Sequence, residues 1–165
     1  MSKINLKGLI NDIPEEIILD ITKIEKSRMR LRIEECNVRK LIMEIKRVFK
    51  QLFSKKGVKL DIQINKDVPR IIKTDHQKLR QLLFNLASNA LKFTPQVGVK
   101  IHIHIKNGKI IFEVKDTGIG ISTKNQKQLF EVFQRTDNPL VQKTDGSGLG
   151  LVLTKKMVNL LDGKI

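Results

Sequence analysis

DHQKLRQLLFNLASNALKF, running from Asp75 to Phe93, is the stretch on which the reading of this chain turns. At about 100° per residue, Leu79, Leu83, Leu86, Ala90 and Phe93 fall close to one line, the core stripe of an amphipathic helix. Leu82, Asn85, Asn89 and Lys92 lie on a second line, about a quarter turn or more away. Two amides and an ammonium beside a buried stripe need partners, because desolvated polar groups are costly without them. A solvated helix face accounts for the same residues if nothing else in the chain calls for them. Thr74 and Gln77 read as a capping box that starts the helix, and Thr94-Pro95 stops it.

Outward from this helix the pattern changes period. Val99, Ile101, Ile103 and Ile105 alternate with Lys100, His102, His104 and Lys106, a half-buried strand. Asn107-Gly108 is a strong hairpin signal, and the return strand carries Ile110, Phe112 and Val114 on one face. His102 and His104 share a strand face, but two histidines without a third ligand read as ordinary solvent-facing residues. Two glycine-rich segments follow, DTGIGI from Asp116 to Ile121 and DGSGLGL from Asp145 to Leu151. Between them LFEVFQR places Phe130 and Phe133 in polar surroundings. Leu153, Met157, Val158, Leu160 and Leu161 then recur at helical spacing, ended by Gly163.

Upstream, Leu41, Ile45, Val48, Leu52 and Phe53 mark another helix, closed by Lys55-Lys56 and a Gly57 cap. Val58, Leu60, Ile62 and Ile64 alternate as a strand, and Arg70-Ile71-Ile72 suggests a short second one. From Glu15 to about Leu31, the isoleucines 17, 18, 21 and 24 give a helical pattern with no stripe broad enough for a core of its own. Such a helix wants a partner, and a two- or four-helix dimer stem would suit it.

Composition narrows the classes. A chain of 165 residues, 40% hydrophobic and 30% charged, is long enough for one domain with a real core. No run approaches the roughly eighteen apolar residues of a membrane span, so no direct membrane insertion is expected. One cysteine, Cys36, excludes an internal disulfide and offers no metal-ligand spacing. These features point to a cytoplasmic chain, or to the cytosolic part of a larger membrane sensor. The net charge of +15 raises nucleic acid as a partner. However, the lysines are scattered and there is no Trp or Tyr to stack on bases, so no nucleic-acid partner is expected.

Neither glycine segment is a Walker A loop or a dinucleotide fingerprint. One such glycine pair is an ordinary turn, whereas two leave bare backbone near a shared space. The second opens a helix whose N-terminal N–H groups favour an anion. Asp116, at a strand end, could accept from an exocyclic amine such as that of adenine. Asn89 could give Mg²⁺ a neutral oxygen, and Lys92 and Arg135 could balance phosphate charge.

In this order the segments resemble the ATP-binding catalytic domain of sensor histidine kinases, which shares its nucleotide fold with gyrase and MutL. QLLFNLASNALKFT looks like the family's N box, DTGIGI its G1 box, LFEVFQR its F box and DGSGLGL its G2 box. ILDITKIEKSRMRLR is similar to the end of the second stem helix, which carries the dimer contact and the phosphoacceptor histidine. The resemblance implies an α+β fold, a two-layer α/β sandwich of the Bergerat type, with helices on one face of a mixed, mostly antiparallel sheet. It divides the chain into a helical stem end, residues 1–38, and an ATP-binding domain, residues 39–165, short of its final strands.

Carried over residue by residue, it implies ATP and Mg²⁺ as cofactors. Asn89 would hold the metal, with Asn85 one turn earlier and Lys92 on phosphate. Phe93 would lie near the adenine, Asp116 on its amine, and Gly118 and Gly120 where backbone meets base. Residues 125–147 would form a lid tethered by Phe130 and Phe133, with Arg135 reaching the γ-phosphate. Gly146, Gly148, Leu149 and Gly150 would make its hinge and the phosphate cradle. Asn85 stands where the ATPase relatives carry a general-base glutamate, and an amide cannot take that proton.

A further departure concerns the phosphoacceptor. None of His76, His102 and His104 lies in a phosphoacceptor box, so the acceptor domain is expected in trans or in a longer chain. A receiver domain and a homodimer through the stem complete the expected partners. A nucleotide-binding regulatory or dimerisation module without transfer activity is the alternative reading.

Overall fold

The computed structural model describes residues 30–130 and 150–165. The segment Glu15–Leu31, read as a stem helix, lies outside the described residues up to position 29, as do Phe133, Arg135, Gly146, Gly148 and Leu149. Strand β1 (Glu34–Asn37) leads into helix α1 (Val38–Lys56), followed by β2 (Lys59–Ile64) and β3 (Ile71–Thr74). Helix α2 (His76–Phe93), β4 (Gly98–Lys106), β5 (Lys109–Asp116), the short α3 (Thr123–Gln128) and α4 (Gly150–Leu160) complete the order. The helical segment expected to reach residue 38 therefore gives way to a strand at Glu34, which pairs with Thr74 of β3.

Caps set the helix ends. The Asn37 side chain accepts from Lys40 N at 3.1 Å to open α1. Gly57, at φ +73°, closes it. Its N–H reaches Ser54 O at 3.0 Å, and Val58 N–H reaches Phe53 O at 3.0 Å, the paired bonds of a Schellman turn. Buried Phe53 and Val58 supply its apolar contact.

At α2 the capping reading moves by one residue. Thr74 is committed to the β1–β3 ladder, and Asp75 is the cap, its Oδ1 accepting from Lys78 N at 3.0 Å. The other oxygen, Oδ2, accepts from Arg32 N at 2.9 Å, so one buried carboxylate fixes both the helix start and the chain ahead of β1. In α4 the left-handed position is Asp162, at φ +55°, rather than Gly163. Gly163 N–H instead bonds Val158 O at 2.9 Å.

Strands β2, β4 and β5 form a mixed sheet, β2 parallel to β4 and β4 antiparallel to β5. Asn107 and Gly108, at φ +51° and +70°, make the two-residue hairpin turn between β4 and β5. Val99, Ile101 and Ile103 are buried on the helix side, and Val114, Phe112 and Ile110 continue that face across β5. Helices packed on one side of a mixed sheet make the expected α+β arrangement.

Two helix faces differ from their expected stripes. In α1, Val48 and Leu52 are 44% and 45% exposed, while Ile42 and Phe49 are buried. The buried line drifts across the helix surface from Leu41 to Phe53, as it must where helices cross at an angle, and it leaves those two residues behind. In α2, Leu82 and Ala87 join Leu79, Leu83 and Ala90 in the core, whereas Leu86 and Phe93 are only half-buried. Contacts with α1 on one side and α4 on the other widen the buried arc, so the line carrying the amides is itself partly core.

Candidate functional site

Helix α2 connects directly to both glycine segments. At its middle, Asn85 Nδ2 donates to Gly150 O at 2.8 Å and to Thr154 Oγ1 at 2.5 Å. Thr154 Oγ1 in turn donates to Gly150 O at 2.9 Å. This triangle sits at the first turn of α4. A Cβ at Gly150 would lie 2.7 Å from Asn85 Oδ1. Any larger residue there would have to displace the Asn85 amide from its hydrogen bonds.

At the other end of α2, the Phe93 carbonyl receives the turn that follows β5. Ile119 N–H donates to it at 3.2 Å, and a Cβ on Gly118 would meet the same oxygen at 2.3 Å. Gly118 N–H donates to Asp116 Oδ1 at 2.8 Å, which orients the exposed carboxylate at the strand end. Gly120 is a glycine for a different reason. Its φ is +66° and nothing lies within 4 Å of a Cβ built there, so conformation rather than crowding selects it. Thr117 locks the base of the turn, its Oγ1 donating to Gln96 O at 3.1 Å while accepting from Gly98 N at 3.1 Å.

Asn89 lies one turn beyond Asn85 and one turn before Phe93, on the stretch of α2 bounded by these two attachments. It is half-buried, and nothing among the described residues hydrogen-bonds its amide. Lys92 is half-buried with Nζ 5.0 Å from the Phe93 ring centroid. Phe130, the first aromatic of LFEVFQR, lies against α4 with Lys155 Nζ 5.1 Å from its centroid. The structure thus ties Asn85 to Gly150 and Phe93 to the turn carrying Asp116 and Gly118, at the two ends of the stretch of α2 that carries Asn89.

Three contributors escaped the sequence reading. Thr154 is 1% exposed, and its signal was a lone hydroxyl directly after the apolar run Leu151–Leu153. Thr117 had no periodic signature, because its partners are backbone atoms. Lys56 reads as a helix-ending base but bonds the Leu91 and Lys92 carbonyls, the latter at 3.0 Å, and so caps the last turn of α2 from another helix.

The family of histidine kinase-, DNA gyrase B-, and HSP90-like ATPases matches residues 74–165. The chain is 38% identical over 164 residues to the circadian input-output histidine kinase CikA of Synechococcus elongatus, covering 98% of this chain and 21% of that protein. It is 30% identical over 165 residues to the autoinducer 2 sensor kinase/phosphatase LuxQ of Vibrio cholerae, covering 98% and 19%. The chain thus spans about a fifth of the length of these curated relatives. Among solved structures, full-length ShkA in complex with AMPPNP superposes with a TM-score of 0.75 at 28% identity, covering 93% of this chain and 30% of that one. Among the described residues no helix is long and apolar enough to cross a membrane.

Proposed function

Because the chain belongs to the histidine kinase-, DNA gyrase B-, and HSP90-like ATPase family, we propose that it is the part of a sensor histidine kinase that binds Mg-ATP and presents the γ-phosphoryl group to an acceptor histidine. The observation that carries this reading is the double attachment of α2. One helix is tied to Gly150 through Asn85 and to the Gly118 turn through the Phe93 carbonyl, and the half-buried amide of Asn89 stands between.

The residues fit the expected cofactor. Asn89 offers a hard, neutral oxygen, and Mg²⁺ takes few protein ligands while keeping waters and phosphate oxygens. When bound there, the ion would offset phosphate charge beside Lys92. Asp116 has one oxygen engaged by Gly118 N–H, which leaves Oδ2 to accept from the adenine amine. Phe93 would pack near the base, while Gly120 gives it close access to backbone. Arg135 would reach the γ-phosphate, and Gly146, Gly148 and Leu149 would lead into the cradle at Gly150. Asn85 is occupied by Gly150 and Thr154 and is a positioning residue in this reading. As an amide it cannot deprotonate water, which favours transfer over hydrolysis.

Transfer then depends on positioning and charge neutralisation. An imidazole nitrogen attacks the γ-phosphorus, the P–N bond forms as the bond to the β-bridging oxygen breaks, and ADP leaves. The acceptor histidine belongs to a stem domain in trans or in a longer chain, of which the residues ahead of β1 would be the end. A receiver domain would take the phosphoryl group next, and pairing through the stem would make a homodimer in the cytoplasm. Similarity to a sensor kinase/phosphatase and to a histidine kinase supports this assignment.

Binding of a fluorescent ATP analogue tests it. Asn89→Ala and Asp116→Ala should each abolish binding, and retention in both variants contradicts the reading. With a histidine-bearing stem domain added, wild-type chain should yield acid-labile, base-stable phosphorylation. Tight nucleotide binding with no label on any such domain would favour a regulatory module instead.

A further inference from the structure

On the sheet face turned away from the helices, His102 and His104 stand side by side on β4, with ring centroids 4.6 Å apart and planes 27° from parallel. The hairpin supplies the third group that the sequence alone did not reveal. Pairing across Asn107-Gly108 sets Glu113 opposite His102, with Oε2 3.7 Å from His102 Nδ1. One ligand atom from each of the three lies within 4.8 Å of the others, the one such convergence among the described residues.

Two features call for a cation there. His104 Nδ1 is shut off from solvent without a hydrogen-bond partner among the described residues, an uncommon state for a polar atom. His102 Nε2 lies 2.9 Å from Asn65 Oδ1. An amide oxygen only accepts, so Nε2 carries a proton, and Nδ1 faces the Glu113 carboxylate, where a second proton or a metal ion supplies the positive charge the pair needs. Lone pair and carboxylate repel unless positive charge lies between them. A carbonyl oxygen holding the far nitrogen is also how ligating imidazoles are oriented at metal centres.

We propose that His102, His104 and Glu113 bind one divalent transition-metal ion of the Zn²⁺, Ni²⁺ or Cu²⁺ class on the outer face of the sheet. Two imidazoles and one carboxylate suit these borderline ions and leave a position for water. Mg²⁺, which takes oxygen ligands, is excluded by the donor set. Tetrahedral ligation places ligand atoms roughly 3.3 Å apart, so the set closes on the ion by rotation of the exposed Glu113 and a small movement of the rings. Lys100 and Lys115 face each other on the same surface, and their positive charge weakens cation binding there. The site is on the opposite side of the sheet from α2, so it is independent of the nucleotide.

The experiment uses the full chain, stripped with chelator and titrated with Zn²⁺ by calorimetry in excess Mg²⁺. One Zn²⁺ per chain is expected, unaffected by Mg²⁺ and by Cys36→Ser. His104→Asn and Glu113→Gln should each weaken it at least tenfold. Zn²⁺ should raise the unfolding temperature of the wild type and leave that of both variants unmoved. No saturable binding, or equal affinity in wild type and both variants, overturns the proposal. A Co²⁺ spectrum of the wild type checks it without relying on the variants. A d–d band alone supports the three ligands, and a thiolate charge-transfer band would place the ion on Cys36 and overturn the assignment.

Discussion

The amide of Asn85 donates to the carbonyl of Gly150 at 2.8 Å, joining positions 65 residues apart in the chain. Through this bond the middle of α2 sets where α4 begins, while Thr154 closes the triangle from the next turn.

That contact predicts coupled energetics. Gly150→Ala forces a Cβ to 2.7 Å from Asn85 Oδ1 and should cost about 1–3 kcal/mol by overpacking. Asn85→Ala removes two hydrogen bonds and should cost about 1–2 kcal/mol. The double variant relieves the clash, so its cost should fall short of the sum by about 0.5 kcal/mol or more. Urea denaturation of the four proteins measures this; simple additivity would refute the direct contact.

The two glycines of the turn after β5 should respond differently. Gly118→Ala places a methyl against the Phe93 carbonyl, at 2.3 Å, and neither backbone can yield cheaply. Gly120→Ala meets no neighbour and carries only the left-handed penalty of its φ of +66°, about 1–2 kcal/mol. The first should therefore lower the urea midpoint further than the second, and the reverse ranking would contradict the packing.

Asp75 serves two chain segments with one side chain that is 5% exposed. Truncation in Asp75→Ala strands the N–H groups of Lys78 and Arg32 and should cost about 2 kcal/mol. Asp75→Asn keeps an acceptor for the helix cap and should lose less. Equal losses in chemical denaturation would mean that capping is not what the carboxylate contributes.

Cys36 gives a pH dependence with a definite sign. Burial first, then the carboxylates of Glu34 and Glu44, push its thiol above the ordinary 9.0. The native state thus holds the proton more tightly than the unfolded chain. Its contribution is complete below about pH 9 and is lost as pH rises from there through the folded-state value. Cys36→Ala should show a shallower alkaline fall in stability than wild type. Iodoacetamide should label native Cys36 far more slowly than the urea-unfolded chain, and equal rates would rule out the shielded thiol.

Val97 is a β-branched residue at φ +75°, 73% exposed, held there while its carbonyl accepts from Lys59 N at 2.9 Å. Since left-handed backbone disfavours such side chains, Val97→Gly should raise stability by about 1 kcal/mol. A lower unfolding temperature would show that the valine side chain, not the backbone, dominates at this position.

Much of the frame is legible locally. Asn107-Gly108, the alternation from Val99 to Ile105 and the Gly57 cap each depend on interactions within a few residues, and each stands in the structure as the pattern implies. The motif order around α2 likewise points to the nucleotide-binding family without any coordinates. The misreadings cluster where a helix has more than one neighbour. Leu82 looked like part of a polar line and is core, and Val48 looked like core and is half-exposed.

By itself, then, the sequence determined the family and most of the elements, though not β1 or α3, because turn chemistry and hydrophobic period act over short stretches of chain. Only the tertiary structure decided that Asn85 is spoken for by Gly150, that Gly118 is bare because Phe93 O lies against it, and that Glu113 completes a pair of histidines. Those outcomes depend on which distant backbones approach one another, and that is settled by packing and strand register, which no local pattern encodes.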